Sequence, residues 1–134
     1  MGQQQLLLII LGVIIVGIAI AVGITMFSAG SVQSAKDAII NDMNNLAANA
    51  YQHRIRPASM SGGAGAYDAS LGGQAYAIPT KLQITENANY MTTPPVVGAD
   101  AVTFTGTHLD YGTVEATVGV DGKLTGWAYT GQFE

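Results

Sequence analysis

An uncharged apolar run limits what this chain can fold into more than any other feature. No charged side chain occurs before Lys36, and the 22 residues from Leu6 to Phe27, here called the apolar segment, are almost all aliphatic or glycine. A helix of this length, rising about 1.5 Å per residue, can cross a bilayer core of about 30 Å. The run also exceeds the apolar part of a cleaved secretory signal, which is about 7–15 residues. We therefore expect a helix that buries every side in lipid or in protein.

Small side chains recur through the apolar segment. Ala19 and Gly23 have the small-xxx-small spacing that lets two helices approach closely. Glycine is also common in single-pass anchors, so a helix in lipid and a helix packed against other helices are both open. If the helix packs against others, the predicted contact residues are Leu6, Leu7, Ile10, Gly12, Ile14, Gly17, Ala19, Ala21, Gly23 and Phe27.

A second periodic pattern follows without a break. Apolar residues recur at steps of three and four, as on one face of an α-helix, at Val32, Ala35, Ile39, Met43, Leu46 and Ala50. The next proline is Pro57, and the residue before a proline disfavours helical backbone. We therefore predict one helix over about 2–56. It is apolar on all sides over 1–30 and amphipathic over 31–56.

The composition changes at Pro57, where a segment rich in Gly, Ala and Ser begins. This composition is typical of surface loops, and we assign 57–80 to a loop. The loop contains Gly63 and Gly65, but Asp68 stands where a dinucleotide-binding fingerprint needs its third glycine. No Gly-Lys-Ser/Thr sequence follows, so we do not expect a phosphate-binding loop.

Two hairpins are predicted near the end of the sequence. Asp121-Gly122 is a strong signal for a two-residue turn of the type that needs positive φ at both residues. Such a turn pairs Val120 with Lys123, Val118 with Thr125, Ala116 with Trp127, and Val114 with Tyr129. One strand earlier, a five-residue loop "HLDYG" pairs Phe104 with Ala116 and Val102 with Val118.

Both hairpins place apolar residues on one face, which the amphipathic helix can cover. The predicted helix–sheet core is Ile39, Met43, Leu46, Ala50, Val102, Phe104, Val114, Val118, Trp127 and Tyr129. The outward face carries threonines that could accept O-linked sugars, at Thr103, Thr105, Thr107, Thr113 and Thr117. A fourth strand is predicted within "TKLQIT", before the break at Pro94-Pro95. The fold class is therefore α+β, with one long N-terminal helix and a C-terminal antiparallel sheet of three to four strands over 81–134, packed on the second half of the helix.

Charge and composition argue against several functions. The net charge is −4 and the five basic residues are dispersed, so no nucleic-acid partner is expected. The chain has no cysteine, which removes disulfides and thiolate sites. His53 and His108 lack a metal-ligand spacing, and the aspartates at predicted turns fit local hydrogen bonding. We expect neither enzyme activity nor a cofactor or metal.

The chain begins with a few polar residues and the apolar run "LLLIILGVIIVGIAIAV", and an amphipathic helix, a loop and an antiparallel sheet follow. The order of these features resembles the type IV pilin family. The resemblance implies a major pilin, the subunit of an extracellular helical homopolymer on the cell surface. It also implies a single-pass protein in the inner or cytoplasmic membrane before assembly, a methylated N-terminus, and a platform protein, an ATPase and a prepilin peptidase as partners. The alternative is a pseudopilin-like secretion component or a membrane-tethered binding module that forms no long fibres.

The N-terminal residues depart from the family pattern. Numbered from Met1, the fifth residue is Gln5, where the family normally has a glutamate that neutralises the terminal amine of a neighbouring subunit. Gln3, Gln4 and Gln5 are predicted to offer side-chain carbonyls to such amines instead. A second register makes Gly2 the last leader residue and Gln3 the first mature one. The cysteine pair of many bacterial members is also missing.

Overall fold

The computed structural model describes residues 2–134. A helix, α1, spans Gly2–Ile55, which confirms the predicted long N-terminal helix. A short helix α2 (Thr80–Gln83) and strands β1 (Val96–Val97), β2 (Val102–His108), β3 (Gly112–Val118) and β4 (Leu124–Tyr129) follow. Single 3-10 turns lie at Ala58–Met60 and Gly131–Phe133. The chain divides into two compact units: one ends at Ser34, and the other, here called the head, spans Ala35–Glu134.

The sheet is an antiparallel meander in the order β1-β2-β3-β4, so the predicted α+β class is confirmed. The predicted pairs Phe104–Ala116 and Val102–Val118 are both present. The ladder extends one pair beyond the expected loop boundary, to His108–Gly112, so only Leu109–Tyr111 remain in the turn. Gly112 ends this turn with φ 131, a conformation that side chains rarely adopt.

The predicted two-residue turn at Asp121-Gly122 is wrong. Gly119 and Lys123 close the hairpin through a 3.0 Å backbone bond, and Gly122 N–H donates to the Gly119 carbonyl at 3.1 Å. Gly122 has φ 79, but Asp121 is not in the positive-φ region and instead accepts the Lys123 N–H with its carboxylate. This is the three-residue turn with a left-handed glycine, the next commonest hairpin connection.

A bulge in β4 then restores the predicted register. Thr117 pairs with Thr125, but Glu115 pairs with Ala128, so Gly126 and Trp127 together lie opposite one residue of β3. Gly126 has φ 65, which glycine adopts at low cost. Beyond the bulge the predicted pair Val114–Tyr129 is present.

The fourth strand predicted within "TKLQIT" is also wrong. Pro79 starts a helical turn there, with Leu82 N–H donating to its carbonyl at 2.8 Å, and Ile84 makes only an isolated bridge to Asn89. The fourth strand is instead β1, which begins directly after Pro94-Pro95. Its two residues pair with Val102 and Thr103. The strand is short because the prolines before it have no N–H to continue a ladder.

The core of the head lies between α1 and the inner face of the sheet. Eight of the predicted core residues are buried: Ile39, Met43, Leu46, Ala50, Val102, Phe104, Val114 and Val118. Trp127 and Tyr129 are only half-buried, because β4 is an edge strand. Aromatic residues from outside the sheet complete the core at Tyr67, Tyr76, Tyr90 and Phe133, and they were not predicted.

The outer face of the sheet is less open than expected. Thr105 was predicted to point outward into solvent, but only 9% of it is exposed, beside Glu115. The hydroxyls of Thr103 and Thr117 lie 2.8 Å apart and bond to each other across the strands. A charge introduced at Thr105 would therefore meet a neighbouring carboxylate rather than water.

Gly106 allows α1 and a loop to approach the sheet. A Cβ at this position would lie 2.8 Å from the Tyr90 ring and 3.1 Å from the Ile39 side chain. We expect Gly106→Ala to lower the free energy of unfolding by about 1–3 kcal/mol through overpacking. Urea unfolding of the full chain in detergent, followed by near-UV circular dichroism, measures this. Gly98→Ala is the control, since its nearest neighbour would lie 3.5 Å away. Equal stability of the two variants would contradict this packing.

Candidate functional site

The apolar segment exposes large side chains on every side of α1. All 16 leucine, isoleucine, valine, methionine and phenylalanine side chains from Leu6 to Phe27 are between 52% and 79% exposed. By length and hydropathy, α1 is the one helix among residues 2–134 that could span a membrane. The hydroxyl of Thr25 is bonded to the Ala21 carbonyl at 2.8 Å, so this polar group is satisfied within the helix. The segment therefore presents a surface suited to lipid or to other apolar helices.

The small residues of the segment fall on two nearly opposite faces. At about 100° per residue, Gly12, Ala19 and Gly23 lie within an arc of roughly 40°. Gly17 and Ala21 lie within a similar arc on the other side. A Cβ added at Gly12, Gly17, Gly23 or Gly30 would meet no atom within 4 Å. Packing within the described chain therefore does not require a small residue at any of these positions.

The predicted amine-pairing residues lie at the start of α1. Gln3, Gln4 and Gln5 are helical and exposed, and the first turn has no acidic residue. Met1 lies outside the described residues. The glutamine carbonyls are therefore open to partners beyond the chain, and their pairing with amines stays a prediction.

In the head, one carboxylate joins α1 to the loop before the sheet. The Oδ2 atom of Asp42 accepts hydrogen bonds from the Thr85 hydroxyl at 2.8 Å, the Asn87 amide at 3.1 Å and the Tyr90 hydroxyl at 3.1 Å. Asp42 lies next to Met43, on the flank of the buried face of α1. This position is the signal by which Asp42 could have been predicted from the sequence to contact the head. Because three donors converge on one oxygen, Asp42 fixes the loop on the helix.

The glycine-rich loop caps the end of α1. Gly63 N–H donates to the His53 carbonyl at 2.8 Å, and Gly65 N–H donates to the Arg54 carbonyl at 2.7 Å. Ala64 N–H donates to the Arg56 carbonyl at 3.0 Å. These N–H groups bond to carbonyls in the last turn of α1 and just after it, so they are not available to cradle a phosphate. The loop is thus a structural cap.

The turn between β3 and β4 packs on the same end of α1. The Tyr67 hydroxyl donates to the Gly119 carbonyl at 2.6 Å, and Arg54 Nη1 donates to the Val120 carbonyl at 3.1 Å. Gly122 lies against Tyr51, where a Cβ would come within 2.8 Å of the ring. The positive φ of Gly122 and this close approach both require glycine.

Two parallel aromatic rings lie at the edge of the sheet. The Trp127 and Tyr129 rings are 6.4 Å apart between centroids and inclined by 8°. Lys36 Nζ lies 3.8 Å from the Tyr129 ring centroid and donates to the Phe133 carbonyl at 3.3 Å. Within residues 2–134, neither the Trp127 indole N–H nor the Tyr129 hydroxyl has a hydrogen-bond partner. Half-exposed rings with unpaired polar groups are typical of interaction surfaces.

An open groove of about 360 Å³ lies elsewhere in the head. It is lined by His108 and Leu109, where β2 passes into the turn, and by Ile84, Glu86 and Asn87 from the loop before the sheet. Leu109 is 95% exposed. The groove combines one carboxylate, one imidazole and three apolar side chains, those of Ile84, Ala88 and Leu109.

Neither histidine joins a metal-binding group. His53 Nε2 lies 2.7 Å from the Gln74 carbonyl, and His108 Nδ1 accepts the Asp110 N–H at 3.1 Å. Among the residues described, no three His, Asp or Glu side chains are placed to hold a metal ion.

Folding raises the pKa values of three tyrosine hydroxyls in the head. Burial raises the pKa of the Tyr76 hydroxyl above its usual value near 10. Burial also raises the pKa of Tyr90, and the Asp42 carboxylate raises it further. Burial raises the pKa of Tyr67 as well, and the nearby Arg54 charge partly offsets that rise. All three hydroxyls are therefore held in the neutral form that donates their hydrogen bonds.

Asp42→Ala leaves the Thr85, Asn87 and Tyr90 donors without their acceptor. We expect the free energy of unfolding to fall by about 1–3 kcal/mol. Asp42→Asn keeps one acceptor oxygen and should lose less. Urea unfolding of the full chain in detergent measures both, with Asp100→Ala at an exposed loop position as the control, expected within about 0.5 kcal/mol of the parent. An Asp42→Ala variant as stable as the control would show that the three bonds do not hold the loop.

Alkaline pH should destabilise the head. Below about pH 10 the folded and unfolded chains both keep the tyrosine protons. As the pH rises further, the unfolded chain releases protons that folded Tyr76 and Tyr90 retain, so the free energy of unfolding falls. Urea unfolding at about pH 9 and about pH 11 should show this loss, and the double variant Tyr76→Phe/Tyr90→Phe should lose less over the same interval. An equal loss in parent and double variant would assign the effect to other groups.

Comparison with known protein families, with curated proteins and with solved structures gives no match. Likeness to type IV pilins therefore rests on architecture. One long apolar N-terminal helix and a four-stranded antiparallel sheet are compatible with a pilin-like fold and with a membrane-anchored protein.

Proposed function

We propose that this chain is a major pilin, the structural subunit of an extracellular type IV pilus-like filament. The observation that carries the proposal is the exposure of all 16 large apolar side chains of the apolar segment. A surface of this kind needs lipid or protein around its full circumference. In the proposed assembly, copies wait in the inner or cytoplasmic membrane as single-pass proteins and then exchange lipid for the apolar helices of neighbours.

The two opposite small-residue faces support a polymer over a closed pair. A symmetric dimer uses one patch on each copy, whereas a helical polymer uses two different patches on every copy. The Gly12/Ala19/Gly23 face and the Gly17/Ala21 face supply two such patches. By resemblance to the family, a platform protein, an ATPase and a prepilin peptidase would serve assembly. We propose no catalytic role, cofactor or nucleic-acid partner.

The parallel Trp127 and Tyr129 rings favour a second candidate, a membrane-tethered binding module or pseudopilin-like secretion component. Trp and Tyr are frequent at the centres of protein interfaces. In this candidate the apolar segment stays in lipid, and the head binds its partner through the rings. No long fibres would then form.

Small-to-large apolar substitutions separate the two candidates, because lipid accepts any apolar side chain and a packed helix interface does not. We expect Ala19→Leu/Gly23→Leu and Gly17→Leu/Ala21→Leu each to keep the chain in the membrane fraction but to abolish fibres. Val22→Leu and Ile20→Leu together are the matched control and should assemble normally. Membrane fractionation and electron microscopy of producing cells, with labelling of this chain, give the two readouts.

Each outcome assigns the role of the apolar segment. Loss of fibres from only one of the two double variants would indicate a single contact face and argue against the two-faced polymer. Normal fibres from both would contradict helix packing as the basis of assembly. Absence of this chain from any fibre, with normal membrane insertion, would favour the binding module.

A further inference from the structure

Most threonine hydroxyls of the head are already engaged. On the sheet they bond to each other or to nearby oxygens, and Thr85 bonds to Asp42. The sheet pairs are Thr103–Thr117 at 2.8 Å, Thr113–Thr130 at 2.6 Å, Thr105–Glu115 at 3.4 Å and Thr125 to the Thr117 carbonyl at 3.4 Å. Thr107 Oγ1 is the exception, since it has no hydrogen-bond partner among the described residues, but it is buried. The sheet face that the sequence indicated for O-linked sugars therefore offers few free hydroxyls.

Thr92 and Thr93 differ from these threonines. Both are exposed and lie in irregular backbone, and neither hydroxyl has a hydrogen-bond partner within residues 2–134. The Thr92 N–H and the Met91 N–H both bond to Asn89 Oδ1, at 3.1 and 2.8 Å, which fixes the start of the segment. Pro94 disfavours helical backbone at Thr93, which lies in a bend over Met91–Thr93. An exposed bend with a free hydroxyl is accessible to a modifying enzyme.

The same segment leads into an unprotected sheet edge. The stretch from Met91 to Val97 has no charged residue, and Val96 in edge strand β1 is 69% exposed. Natural proteins usually guard such edges with charge, with a bulge or with a covering group, because edges pair with other chains. Strand β1 has only two residues and follows two prolines, which limits its pairing with other chains. A bulky hydrophilic group beside β1 would limit such pairing further.

We propose that Thr93 is an acceptor site for an O-linked sugar. The run Thr92-Thr93-Pro94-Pro95 has the threonine- and proline-rich composition that is typical of O-glycosylated segments. The co-reactant is a sugar activated on a phosphate or diphosphate carrier. Thr93 Oγ1 attacks the anomeric carbon, the bond from that carbon to the carrier oxygen breaks, the carrier leaves with the electron pair, and a base of the transferase takes the hydroxyl proton. This proposal rests on the proposed function in one respect only, which is that the head must be exported.

Intact-mass and fragmentation mass spectrometry of the full chain from producing cells tests this site. We expect an added sugar mass on the peptide that contains Thr92 and Thr93, with complete loss of that mass in Thr93→Val. Thr125→Val is the control, because Thr125 is also exposed but its hydroxyl is bonded. It should keep the added mass. Matching thermal unfolding midpoints of the two variants would show that loss of the sugar does not reflect misfolding.

Three results would overturn the site: the unmodified mass, an added mass that maps to sheet threonines, or an added mass that a phosphatase removes. Microscopy of the same cells keeps the two proposals apart. Fibres built from unmodified chain would overturn the sugar site and leave the filament standing. A chain that carries the sugar but forms no fibres would overturn the filament and leave the sugar site standing.

Discussion

Sixteen large apolar side chains surround α1 between Leu6 and Phe27, and no other part of residues 2–134 covers them. At about 1.5–3 kcal/mol for each such side chain removed from water, the free energy at stake is on the order of tens of kcal/mol. Typical domain stability is only about 5–15 kcal/mol, so the surroundings of this segment dominate the energetics of the protein. The head must fold by its own contacts, whatever surrounds the apolar segment.

Within the head, α1 from Ala35 onward is the element on which the other parts pack. Its apolar face packs on the inner face of the sheet. Asp42, on the flank of that face, binds the loop before the sheet, and the last carbonyls of the helix accept the N–H groups of the glycine-rich loop. The long segment between α1 and β1 has little regular structure, yet Tyr67, Tyr76 and Tyr90 from it are buried. Without disulfides, these hydrogen bonds and rings give the loops their order.

Regular elements with a clear period could be predicted from the sequence. The stripe from Ile39 to Ala50 and the pairing of Phe104 with Ala116 both follow from side-chain periodicity. Features that depend on distant contacts could not. The turn at Gly122 follows from packing on Tyr51 and from hydrogen bonding by Asp121, and the bulge at Gly126 lets one strand change register. The Asp42 cluster joins residues more than 40 positions apart, a separation at which local patterns carry no signal.

The position of Trp127 has a practical consequence, because it is the only tryptophan in the chain. Its indole is half-buried at the edge strand and parallel to the ring of Tyr129, which contacts Lys36. Intrinsic fluorescence excited at the indole therefore comes from one known place on the head. A neighbour that covers this edge would remove water from the indole and shift its emission to shorter wavelength, so association of heads can be followed in real time without a label.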